Sequence, residues 1–112
     1  MDKKELNHTV LEGVVRSIIY RGDENKAIIK FNSVMITINL ETTGNGENQK
    51  QTAHVKIERV WDGVVDSTSN ITCNKFYEVW YLVLDVIDRE WWYSEPLEIY
   101  MNDTLACELR KY

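Results

Sequence analysis

Four side chains of the chain have the chemistry of a metal ligand or a nucleophile–base pair: His8, His54, Cys73 and Cys107. A zinc centre needs such ligands gathered at short spacings. Here no two of them stand close together, so neither a metal site nor a cysteine–histidine pair is indicated. His54 alternates with Lys56 and Glu58, which predicts an outward, solvated side chain. The carboxylates do no better. Asp62-Gly63 and Asp66 lack the closely spaced ligand run of a calcium loop. A glycosidase pair would need a deep cleft, which a small β domain rarely supplies. The expectation is a protein without catalytic residues, metal or cofactor.

The sharpest cluster is Trp91-Trp92-Tyr93, set among Asp85, Asp88, Glu90 and Glu95. Neighbouring side chains on an extended chain point to opposite sides, so burying all three rings in one core is difficult. One reading makes them an exposed anchor, since Trp and Tyr dominate interface hot spots. The four acids then form a rim that meets Lys and Arg of a partner. The other reading has the tryptophans closing the ends of a small core. The sequence leaves both open, and equally leaves open that the acids only mark turns and solvated faces.

The element that must position this cluster is the stretch Phe76 to Tyr93, which holds seven of the twelve aromatic residues. Phe76, Trp80, Leu82, Leu84 and Val86 share one parity, and Tyr77, Val79, Tyr81, Val83 and Ile87 the other. A strand apolar on both sides is a central one, covered on both faces. The remaining chain supplies its neighbours. Lys26–Asn32 and Val34–Thr42 are expected strands, and Ala53–Trp61 another, with Ala53, Val55, Ile57 and Trp61 on one face. Thr43–Thr52 is expected to be a mobile polar loop. Asp62-Gly63 is a hairpin turn into Val64-Val65, and Asp66–Asn70 a polar break. Leu97–Met101 and Thr104–Leu109 form a closing hairpin across Asn102-Asp103. Thr9–Tyr20 is ambiguous. Its apolar residues fall at helical spacing, but Gly13 and the β-branched residues favour a strand. Residues 1–8 are a charged lead-in. The resulting fold class is all-β, one domain over residues 1–112, an antiparallel β-sandwich or small partly open barrel of seven or eight strands. It becomes α+β if residues 9–20 are helical.

Size and charge exclude further classes. The 112 residues, 44% apolar, suffice for one real core. A net charge of −5 argues against nucleic acid, which is held by basic patches, and for a basic protein partner. An RNA-binding sheet would set its aromatics among basic neighbours, and these are acidic. A PilZ-type nucleotide-binding barrel fails too: Arg59 has no second Arg four residues on, and Asp66-Ser67-Thr68-Ser69-Asn70 lacks the glycine of that motif. No apolar run is long enough for a membrane helix. MDKKELNHT lacks the apolar core of a signal peptide, so the expected compartment is the cytoplasm, with Cys73 and Cys107 as free thiols.

His8 ahead of LEGVVRSIIY, the turn RGDEN, the strand AIIKFN and the acidic, Trp-rich second half together resemble the small bacterial immunity proteins encoded beside polymorphic or contact-dependent toxins. The Asn- and Lys-rich usage also fits an AT-rich bacterial source. The resemblance implies a protein that plugs the active or substrate-binding face of one cognate toxin, often a basic nuclease. Its contact residues would be pair-specific. Residue chemistry places them at Trp91, Trp92, Tyr93, Asp85, Asp88, Glu90 and Glu95. Two other readings remain at this stage. One is a carbohydrate- or ligand-binding β module that stacks its ligand on Tyr77, Tyr81 and the Trp pair. The other is a structural subunit of a larger assembly.

Overall fold

A computed structural model describes residues 4–5, 12–13, 16, 26–91 and 95–110. Among these residues the chain forms one open, mostly antiparallel sheet with a long helix against one face. In chain order the elements are β1 (Lys4–Glu5), β2 (Lys26–Phe31), β3 (Val34–Thr43), β4 (Lys50–Trp61), β5 (Val64–Cys73), α1 (Phe76–Glu90), β6 (Leu97–Met101) and β7 (Thr104–Arg110). Across the sheet the order is β1-β7-β6-β2-β3-β4-β5. β2 to β5 run as a meander. α1 then carries the chain back over the sheet, so that β6 pairs antiparallel with β2. The two residues of β1 run parallel to β7, in what the sequence suggests is only a charged lead-in.

The turns follow from their residues. Asp62 (φ 55°) and Gly63 (φ 78°) both take the left-handed conformation, as do Asn102 (φ 48°) and Asp103 (φ 67°). Two consecutive positive φ values match the right-handed twist of a tight hairpin, and Asn, Asp and Gly reach them at least cost. Both hairpins stand where the sequence puts them. Leu97 pairs with Leu109 and Ile99 with Cys107. A register shift after Ile99 then brings Tyr100 opposite Leu105 and Met101 opposite Thr104. The β3–β4 connection is shorter than the expected loop. It contains a 3-10 turn at Gly46–Asn48, and β4 already begins at Lys50. Gly44 there has φ 86°, and a Cβ on it would lie 2.3 Å from the Asn48 carbonyl oxygen.

The expected central strand at Phe76–Val86 is instead α1. Its buried residues Val79, Trp80, Val83, Val86 and Ile87 fall at i, i+1, i+4, i+7 and i+8, one stripe of a helix. Glu78 accepts a hydrogen bond from the backbone N–H of Asn74 at 3.2 Å, which ties the chain entering the helix to its first turn. The helix ends when Trp91 leaves helical conformation, its N–H still donating to the Ile87 carbonyl at 3.0 Å. The stripe packs on Ala27, Ile29, Phe31, Ile36, Ile38, Val55, Ile57, Leu97 and Ile99 to form one core. Each fully buried Val, Leu or Ile contributes about 1.5–3 kcal/mol.

Two further expectations change. The architecture is an open sheet with a helix layer, and among the described residues there is no second sheet and no barrel closure. Asp66–Asn70 is not a break but the middle of β5. At the sheet edge, beyond the cover of α1, polar Ser, Thr and Asn side chains cost nothing, so the strand carries no apolar pattern to read. In Thr9–Tyr20 the described residues, Glu12, Gly13 and Arg16, are helical. Arg16 donates to Glu12 at 3.0 Å, one turn apart, and its guanidinium carbon lies 4.5 Å from the centre of the Phe76 ring. The rest of that segment lies outside the described residues.

Candidate functional site

α1 has two unlike sides. At 100° per residue, Tyr77, Tyr81, Asp85 and Asp88 fall within one narrow arc opposite the buried stripe. All four are exposed, Tyr77 by 52% and Tyr81 by 64%. Glu78 adjoins the arc at its N-terminal end and Arg89 at its C-terminal end. The two tyrosine rings meet edge-on, with centroids 6.5 Å apart and planes at 65°. Lys75 holds its ammonium 5.7 Å from the Tyr77 ring. Asp85 pairs with Arg89 at 2.8 Å on the next turn. The stripe therefore has an aromatic half and an acidic half along roughly 16 Å of helix.

The residues singled out from the sequence divide. Trp91 is only 6% exposed and belongs to the core. Its indole N–H donates to the Glu95 carbonyl at 3.0 Å, which satisfies its one polar atom. It closes the end of the core beneath the last turn of α1. Trp92 and Tyr93 lie outside the described residues. Asp85 and Asp88 stand on the exposed arc, and Glu95 is exposed beyond the helix end. Glu90 points the other way and is half-buried. Arg59 of β4 clamps it with two hydrogen bonds, Nε to Oε1 at 2.6 Å and Nη2 to Oε2 at 2.5 Å. The guanidinium holds the Glu90 carboxyl below its ordinary pKa, and the carboxylate raises that of Arg59. Asn32, at φ 49° in the β2–β3 turn, donates through its side-chain amide to the Glu90 carbonyl at 2.6 Å. Glu90 is thus a fastening between helix and sheet.

Sequence parity places Trp61 with the buried residues of β4, but it is 76% exposed. β3 begins at Val34 opposite Arg59, so Val60 and Trp61 overhang the end of β3. α1 has also ended by then. The solvent-facing tyrosines were read from the sequence only as part of a ligand-stacking surface, and not together with Asp85 and Asp88. Their signal was the i, i+4, i+8, i+11 spacing of Tyr77, Tyr81, Asp85 and Asp88, which only a helix gathers.

His54 is exposed, as its alternation predicts, and contacts Glu41 at 2.7 Å on the sheet face away from α1. Cys73 is a buried free thiol, pushed above its ordinary pKa by burial and by the nearby Glu78. Among the described residues no group of three His, Cys, Asp or Glu side chains could hold a metal ion. Among the same residues no helix is long and apolar enough to cross a membrane. No family model matches this sequence, and neither a curated protein nor a solved structure matches it significantly.

Proposed function

We propose that this is a non-enzymatic binding protein, an immunity protein that neutralises a cognate bacterial toxin by covering its active or substrate-binding surface. The observation that carries the reading is the exposed stripe Tyr77-Tyr81-Asp85-Asp88 on α1. Tyrosines supply rigid, amphipathic contact area at low entropic cost, and the neighbouring acids suit a basic surface such as a nuclease's nucleic-acid cleft. The overall charge of −5 adds long-range attraction to the same partner. In this arrangement Asp85, Asp88 and Glu95 form the acidic rim. Tyr77 and Tyr81 take the anchoring role that sequence reasoning gave to Trp91, Trp92 or Tyr93. Glu90 and Trp91 act indirectly, by fixing the helix end on the sheet.

The test begins with the gene immediately upstream. It should encode a chain ending in a compact, basic domain, and that domain should co-purify with this protein. Tyr81→Ala should then weaken the complex by more than about 2 kcal/mol while leaving the fold intact. Added salt should slow association. A neighbour without a toxin-like domain, or no complex between the two products, sinks the reading. A complex unaffected by Tyr77→Ala and Tyr81→Ala moves the contact off α1.

A further inference from the structure

β5 forms an open edge of the sheet. It pairs with β4 on one side only, and among the described residues no strand covers its outer edge. Nine of its ten residues are exposed. Sheet edges are ordinarily guarded by lysines, prolines, short length or bulges. Here the one such device is a register shift at Asp66, where Arg59 faces Ser67 while Val60 faces Val65. Beyond it, Ser67–Cys73 (STSNITC) is a regular seven-residue run with no charge, Pro or Gly. An unpaired strand of that composition is a template for another strand.

The run is also compatible with its own reverse. We propose that Ser67–Cys73 pairs antiparallel with the same segment of a second copy about a twofold axis at Asn70, joining two sheets into one. Ser67 then faces Cys73, Thr68 faces Thr72, Ser69 faces Ile71, and Asn70 faces its own symmetry mate. The existing pairing with β4 sets Thr68, Asn70 and Thr72 beside Glu58, Lys56 and His54, on the face away from α1. Thr–Thr and Asn–Asn pairs across antiparallel strands hydrogen-bond favourably. Ile71, 38% exposed, gains cover from the second copy on the helix side. Asp66 falls opposite Asn74, so no like charges oppose each other directly. A second copy is favoured over a basic strand because the Ser67–Cys73 run itself carries no carboxylate to pair with a cation.

Each copy carries −5, so their mutual repulsion is long-range and screened by salt. Self-association should therefore strengthen with added salt, opposite to the effect expected for a basic partner. The experiment is sedimentation equilibrium on the full chain at rising concentration, at low and moderate salt. The expected result is a shift from the 13.2 kDa monomer to twice that mass, promoted by salt. Asn70→Lys sets two like charges across the axis and should stay monomeric, with unchanged circular dichroism. Thr68→Glu combined with Thr72→Lys should dimerise about tenfold more tightly or better, because each new carboxylate faces a new ammonium in this register alone. Tyr81→Ala should leave the dimer intact, which separates this contact from the one on α1. A wild-type chain that remains at 13.2 kDa throughout overturns the proposal, as does an Asn70→Lys variant that folds and dimerises like wild type. Capture of a foreign strand by a monomeric β5 would overturn it as well.

Discussion

β3 and β5 are each ten residues long, and both pair antiparallel with β4 along most of its length. Val55 of β4 even lies between two isoleucines, Ile38 of β3 and Ile71 of β5. Yet Ile38 is fully buried and Ile71 is 38% exposed. The backbone ladder is alike on the two sides; the cover is not. β3 has a strand on each flank and α1 above it, and its sequence, VMITINLETT, carries the alternation that such a place demands. β5 has one neighbour and little above it, and VVDSTSNITC carries none. A strand's apolar pattern records what lies over it rather than whether it is a strand.

The largest expected effect tests the covered side. Ile38→Ala should lower unfolding free energy by about 2–5 kcal/mol, read by urea titration, because the cavity is walled by strands and helix that cannot all close in. The next lies at the boundary, where Arg59 joins β4 to the end of α1. Glu90→Gln should cost about 1–2 kcal/mol, since the paired groups are only part-buried. It carries a pH signature. The folded carboxyl titrates below its ordinary value of 4.5, so its contribution is complete above that range. It is lost as pH falls through the lower, folded value. Stability of the wild type should therefore drop more steeply than that of Glu90→Gln as acid is added below about pH 4.5. Gly63→Ala, in the turn joining β4 to β5, should cost about 1 kcal/mol: the space is open but the φ of 78° is not one that alanine favours. The smallest effect belongs to Ile71→Ala, which should cost well under about 1 kcal/mol in the monomer. If it rivals Ile38→Ala, β5 is covered after all and the contrast fails.

Much of the sheet was legible. Asp62-Gly63 and Asn102-Asp103 fixed two hairpins, and the alternation of Val34, Ile36, Ile38 and Leu40 fixed β3. The helix was obscured by its own composition. Its core stripe needs Val79, Val83, Val86 and Ile87, β-branched residues that favour strands when read singly, and its aromatics reinforce that impression. The deciding residues were Glu78, Asp85 and Asp88. As a strand they put charge on both faces of an element supposed to be buried on both. As a helix they share one side with Tyr77 and Tyr81, and the candidate contact surface emerges with them. β5 was hidden for the opposite reason: an edge strand need not announce itself with apolar residues. Trp91 in the core and Trp61 at the surface depend on where α1 stops, which no local pattern encodes.

Cys73 ends β5 beside the first turn of α1, a buried residue whose thiol has its acidity suppressed. A thiol reagent reacts with the thiolate and needs access, so in the closed molecule this sulfur is doubly shielded. Its labelling rate becomes a clock for the local opening in which the edge strand peels from β4. Followed by peptide mass spectrometry to separate it from Cys107, that clock reads the edge without unfolding the core. It should slow whenever something settles against β5.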